Sequence, residues 1–208
     1  MSQYTQKVRT NILPLSVAST LLEAFKEWSF TENTVDHEEP TETCQLCDQE
    51  DVRYHFEIRN ALTGKTLWVG SQCILKFGVS VFEDGRRLSA TDAKKKLNKL
   101  IRKMHYDYCV RALSSLTYKD QGEALARALE RYEMKKSLTP PQGAMVLWLL
   151  KKNNINHKPS FFAIDLRRET YKESLANLKP WQICAIWPAL TPAQRKIAID
   201  MGHETPRT

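Results

Sequence analysis

Cys44-Gln45-Leu46-Cys47 is followed 26 positions later by a third thiol, Cys73, in Val69-Gly70-Ser71-Gln72-Cys73. Two cysteines separated by two residues can point their sulfurs to one side of a tight knuckle. A third after a hairpin-length stretch can supply another corner of a tetrahedron. Zn2+ favours such soft donors, so the spacing predicts one structural zinc ion held by Cys44, Cys47 and Cys73. The competing reading is a reduced C-x2-C pair with an unrelated buried Cys73. A fourth corner must come from elsewhere, and His55, 8 residues past Cys47, is the nearest imidazole. His55 is the expected fourth ligand, with His37, His105, Asp48 and Asp51 as alternatives. Three thiolates make zinc electron-rich and a weak Lewis acid, so no catalytic residue is assigned and no enzymatic activity is expected. Glu57 shares the His55 face, but the chain has only half of a zinc-deaminase signature. Asn98 and His105 fit no finger-nuclease spacing. Cys109 and Cys184 lie in apolar helical patterns and read as small core residues.

The elements that would position these thiols follow from periodicity. Val52 to Arg59 alternates, with Tyr54, Phe56 and Ile58 on one face and Arg53, His55, Glu57 and Arg59 on the other. Asn60 to Gly64 reads as a turn, Lys65 to Val69 as a returning strand, and Cys73 as opening a short helix that stops at Gly78. Knuckle, hairpin and helix in that order make a zinc-ribbon or treble-clef-like module over residues 44–78. Upstream, Leu21, Leu22, Phe25 and Trp28 predict an amphipathic helix over 16–30 within an N-terminal segment 1–30. The polar, acidic, Pro40-containing stretch 31–43 reads as a linker. Downstream, residues 79–208 read as a helical domain. Its first helix, from Thr91, carries Ala93, Leu97, Leu100, Ile101 and Met104 inward. Asp120 to Lys136 forms a second helix. Thr139-Pro140-Pro141-Gln142 and Thr191-Pro192-Ala193-Gln194 are capping-box starts with proline at the first helical position. The expected fold class is α+β, mainly α-helical with a small β-hairpin module.

The charge is unevenly placed. The net charge is +7, and residues 86–111 alone hold nine lysines and arginines against Asp92 and Asp107, an excess equal to the whole. Lys95, Lys99, Arg102 and Lys103 fall on one side of the first helix of that region. The hairpin adds Arg53, Arg59, Lys65 and Trp68, with Lys76 beside it. Cations interleaved with aromatic surface suit a phosphate backbone. The expected partner is therefore DNA or RNA, bound with weak sequence specificity because no helix-turn-helix signature is present. The longest apolar run, Ala144 to Leu150, is too short to span a bilayer, so no membrane partner is expected. The first residues lack the apolar core of a signal peptide, and an odd cysteine count at metal-binding spacing suits a reducing compartment.

Residues 44–77, from Cys-Gln-Leu-Cys through Arg-Tyr-His-Phe-Glu-Ile-Arg-Asn and Thr-Gly to Leu-Trp-Val-Gly-Ser-Gln-Cys-Ile-Leu-Lys-Phe, resemble small modules in uncharacterised zinc-finger proteins of phages, plasmids and other bacterial mobile elements. Val-Gly-Ser-x-Cys-Ile is the most specific part, and the resemblance covers about one sixth of the chain. It implies a metal-held platform near DNA or RNA transactions in the cytoplasm of a bacterium or a phage-infected cell. The alternative function is a mobile-element regulator or anti-defence protein that grips a host protein. Trp181 and Trp187, close to Pro180 and Pro188, would be its anchors.

Overall fold

The structure is a computed structural model describing residues 3–115 and 122–206. It is an α+β protein of two compact units, Met1–His105 and Tyr106–Thr208.

In the first unit, α1 (Gln3–Ile12) buries Val8 and Ile12, one helical turn apart. A 3-10 turn (Leu13–Leu15), a short α2 (Leu21–Ala24) and a second 3-10 turn (Phe25–Glu27) lead into β1 (Trp28–Asp36). The helix expected over 16–30 is therefore only one turn long. The reason lies in contacts with the preceding loop and with a residue distant in sequence. Glu27 turns back on the preceding loop, its carboxylate accepting from the backbone N–H groups of Val17 and Ala18 at 2.9 and 2.7 Å and from Asn60 Nδ2 at 2.6 Å. Trp28 Nε1 donates to Ser16 Oγ at 2.9 Å. Leu22, expected on the inward face, is 75% exposed, whereas Trp28 and Phe30 are buried as alternate residues of a strand.

The acidic stretch expected as a linker over 31–43 is strand as far as Asp36. β1 pairs antiparallel with β2 (Tyr54–Asn60), which pairs antiparallel with β3 (Thr66–Val69), giving a three-stranded sheet in the order β1-β2-β3. A register shift lies between Phe30 and Thr34, where Glu32 has φ 75°. This bulge lets an otherwise polar segment continue the ladder. The acidic side chains find internal partners too: Glu32 pairs with Lys96, and Asp36 with Arg53.

The hairpin joining β2 and β3 is closed by Asn60, whose Oδ1 accepts from the N–H groups of Leu62 and Thr63 at 2.8 and 2.9 Å. Gly64 follows at φ 72°, where a side chain would be strained. α3 (Ser71–Lys76) carries Cys73 inward, and a small ribbon of β4 (Phe82–Glu83) and β5 (Arg86–Arg87) precedes α4 (Ala90–Ser114). The core of this unit joins Trp28, Phe30, Phe56, Ile58, Val69 and Ile74 to the three cysteines, with Ala93 and Leu97 of α4.

The second unit holds the end of α4, from Tyr106, followed by α5 (Gly122–Lys135), α6 (Pro140–Lys152), α7 (Glu169–Ala176), α8 (Pro180–Ile186) and α9 (Pro192–Asp200). Asp120 and Gln121 of the expected second helix lie outside the described residues. At the starts of α6 and α9 the glutamine side chain accepts from the N-cap backbone N–H, at 3.1 Å for Gln142 on Thr139 and 3.0 Å for Gln194 on Thr191. α8 repeats the device with Gln182 on Lys179 at 2.9 Å. The core is apolar: Leu113, Leu125, Leu138, Leu147, Leu150, Phe162, Leu175 and Ile186 are each at most 2% exposed. Gly143 sits where a Cβ would come within 2.4 Å of Ile164 Cδ1, so its lack of a side chain brings α6 close to the 164 segment. Cys109 is buried as expected. Cys184 is exposed, because α8 turns Ile183 and Ile186 inward and leaves the position between them outside. Among the described residues no helix is long and apolar enough to cross a membrane.

Candidate metal centre and basic helix face

The knuckle is built by backbone hydrogen bonds. Cys44 N–H donates to Gln49 O and Asp48 N–H to Cys44 O, both at 2.9 Å, and Asp48 takes φ 58° to close the turn. Gln45 clamps it to β3: its N–H donates to Trp68 O at 3.0 Å, and its Oε1 accepts from Trp68 N–H at 2.7 Å. Leu46 is fully buried beneath the turn, and Asn11 of α1 donates to Leu46 O and to Asp48 Oδ1 at 3.3 and 2.9 Å.

These bonds bring three sulfurs together. Cys73 Sγ lies 3.7 Å from Cys44 Sγ and 3.3 Å from Cys47 Sγ, and all three fall within 4.8 Å of one another. A tetrahedral ion with bonds of about 2.3 Å separates its sulfur ligands by about 3.8 Å, so the trio is close to the spacing a metal needs. The three residues are between 1% and 6% exposed.

Their electrostatics also suit a cation. The hydrogen bond with Cys73 holds the Cys44 thiol down at about 5, against the opposing effect of burial and with help from the N–H groups of Gly70, Leu46 and Cys47. The same bond pushes Cys73 up, reinforced by burial and by the Cys44 charge. One thiolate forms readily and a second is opposed by the first. A cation at the centre would remove that opposition, with release of protons. The three cysteines could therefore hold a metal ion.

His55 does not belong to this three-sulfur group. It is 5% exposed, its Nδ1 lies 3.2 Å from His37 Nε2, and among the described residues its Nε2 has no hydrogen-bond partner. The extension of β1 explains this placement, since Val35 pairs with His55 and the chain continues directly into His37. Burial, then the neighbouring His37, lowers the His55 pKa and favours the neutral ring. His105, another alternative, is bonded through Nδ1 to the Tyr54 hydroxyl at 2.6 Å. Asp48 accepts from Asn11. Asp51 lines the cleft of about 380 Å3 that the three cysteines share with Tyr4, Arg53 and Tyr54.

Sequence reasoning missed Tyr4. Its hydroxyl lies 3.7 Å from Cys73 Sγ, and its ring lies 3.7 Å from Lys76 Nζ and stacks on Phe77. Burial and the nearby Cys73 push the phenol up, so Tyr4 stays protonated and can donate to a thiolate. The available signal was the spacing of Tyr4, Val8 and Ile12, each four residues apart, which places all three on one face of a helix.

The basic residues divide into two groups. Arg53 is buried in a bidentate ion pair with Asp36, at 2.7 and 3.1 Å, and cannot present its guanidinium to a phosphate without breaking it. The guanidinium expected to meet a phosphate is paired with Asp36 because the acidic stretch is strand at that residue, not a free linker. Lys96 is likewise held by Glu32 and by Phe82 O. Arg59, Lys65, Lys76, Lys95, Lys99, Arg102 and Lys103 are exposed, with Lys95 also bonded to Asp92 on the surface. Trp68 is half-buried, its backbone committed to Gln45. On α4 the buried Ala93 and Leu97 fix the inward side, and Lys95, Lys99, Arg102 and Lys103 lie away from it. No family model, no curated protein and no solved structure matches the chain.

Proposed function

We propose that Cys44, Cys47 and Cys73 hold one zinc ion as a structural staple, and that the chain binds DNA or RNA without catalysing a reaction on it. The observation that carries the nucleic-acid reading is the exposed row Lys95, Lys99, Arg102 and Lys103 on α4, opposite the buried Ala93 and Leu97. Arg59 and Lys65 at the hairpin and Lys76 on α3 add exposed cations to the same unit. Such a surface would neutralise several phosphates, making affinity fall steeply with salt and depend little on sequence. Zinc, when bound, would hold the knuckle against the hairpin and α3. The chain's own contribution is the burial of three thiols at the spacing of a tetrahedral site.

The test is a salt-titrated binding assay on metal-quantified protein, with single- and double-stranded DNA and RNA. One equivalent of zinc and a steep salt slope are expected. Absence of binding to all four would end the nucleic-acid reading. The second reading is a protein partner, favoured by Trp181, which is 49% exposed beside Trp148 at a ring separation of 6.1 Å. A clean protein that co-purifies with a host factor would support it.

A further inference from the structure

We propose that the second unit carries a separate site for a terminal phosphate or pyrophosphate group, in the cleft between the end of α5, residues 165–168 and α7. This cleft of about 720 Å3 is lined by Arg131, Met134, Lys135, Asp165, Arg167, Arg168 and Tyr171. Four of these residues are cations and one is an anion. That excess of three positive charges is kept together although like charges repel, and the fold offers no second carboxylate among the lining residues.

The three arginines are held in place. Asp165 is only 6% exposed at its side chain, and its backbone N–H donates to Leu138 O at 2.8 Å. Its Oδ1 accepts from the backbone N–H and Nε of Arg167, each at 3.0 Å. Its Oδ2 accepts from Arg167 Nη2 at 2.9 Å and from Arg131 Nη2 at 3.5 Å. One buried carboxylate thus orients two guanidiniums and leaves most of their donors uncommitted to it. Tyr171 steadies the other side, with the Arg131 and Arg168 guanidinium carbons 5.1 and 5.7 Å from its ring centre. Arg131 Nε is buried and, among the described residues, has no hydrogen-bond partner.

Oriented guanidiniums with spare donors match the geometry of phosphate oxygens. A group carrying two or more negative charges balances the excess better than a carboxylate or a single phosphodiester. The cleft volume falls in the range of small-ligand sites. Because arginines already stack against Tyr171, recognition rests on the phosphate and not on stacking of a base. Two sources share this chemistry: a free nucleoside polyphosphate, and the 5′-phosphate end of a nucleic-acid strand.

The test is calorimetric titration of the full chain, at fixed ionic strength, with pyrophosphate, with a nucleoside triphosphate, and with one oligonucleotide bearing or lacking its 5′-phosphate. Saturable pyrophosphate binding is expected, weakened about tenfold by Lys135→Ala and by Arg168→Ala. Both residues are exposed, so circular dichroism should be unchanged in either variant. Lys99→Glu with Lys103→Glu on α4 should leave it unaltered. A preference for the 5′-phosphorylated oligonucleotide assigns the strand end, and triphosphate binding without that preference assigns the free ligand. Absence of saturable pyrophosphate binding, or binding that survives both single substitutions, overturns the site. Either result is independent of whether α4 binds nucleic acid.

Discussion

The two units bury opposite kinds of centre. Around the knuckle, three thiols sit in one core with Trp28, Phe56 and Ile74, and polar pairs such as the buried Asp36–Arg53 and the half-buried His37–His55 lie close by in sequence. The second unit packs leucines, isoleucines and Phe162 with helices capped by glutamine side chains, and its buried carboxylate, Asp165, sits at the edge of a cleft. An apolar core stabilises by its own removal from water. A core holding three thiols within reach of one ion, with Cys44 held below its ordinary pKa by its hydrogen bond with Cys73, would gain stability from a bound cation. The first unit should therefore depend on metal and the second should not.

Removing the metal is the largest expected effect. Structural zinc contributes about 10–16 kcal/mol apparent at neutral pH in small modules, comparable to or larger than the roughly 5–15 kcal/mol stability of a domain. Chelation, Cys44→Ser or Cys73→Ser should unfold the sheet and α3. Amide protection in α5, α6 and α9 should persist. Hydrogen exchange resolved by segment checks this, and equal loss in both units would break the contrast.

Next in size is a truncation in the apolar core. Leu150 is fully buried, so Leu150→Ala should destabilise the second unit by about 2–5 kcal/mol. Metal affinity should stay unchanged if the units answer to different forces. Denaturant unfolding with and without chelator measures both.

Charge reversal at Lys95, Lys99 and Lys103 should leave folding intact and weaken nucleic-acid binding by about ten- to a hundredfold at moderate salt. The salt slope should fall by about 0.7–0.9 for each phosphate that is no longer neutralised. Unchanged affinity would remove α4 from the interface.

The same contrast explains what could be read from the sequence. The clustering of Cys44, Cys47 and Cys73 was legible because a C-x2-C knuckle and a third cysteine after a hairpin are rare residues in a pattern that converges. The hairpin was legible from the alternation of Tyr54, Phe56 and Ile58, and α6 and α9 from their Thr-Pro-x-Gln starts. β1 was not. Leu21, Phe25 and Trp28 satisfy a helical period, but only one helical turn forms before Trp28 and Phe30 enter a sheet whose partner strand lies more than twenty residues away. The pairing of Asp36 with Arg53, the placement of His55 beside His37 and the reach of Tyr4 to Cys73 follow from that docking. None is a local property of the chain. Asp165 was illegible for the same reason: its pairing with Arg131 joins α5 to a loop 34 residues on.

The smallest effect concerns that carboxylate. Its bonds to Arg167 hold Asp165 at about 2, below its ordinary 3.8, against the opposing effect of burial, with Arg131 assisting. A folded-state pKa below the unfolded one gives stability that is present above about pH 4 and is lost as pH falls through about 2. Because Arg167 is largely exposed, screening reduces the contribution to about 1 kcal/mol. Thermal unfolding of the second unit between pH 5 and 2 should show this decline, and Asp165→Asn should flatten it. The first unit should decline for a different reason in the same experiment, since acid would protonate the cysteines and compete with a bound metal. Its loss should begin at higher pH and shift with metal concentration, whereas the Asp165 step should not. A step in the second unit that also moves with metal would mean that the two centres are coupled.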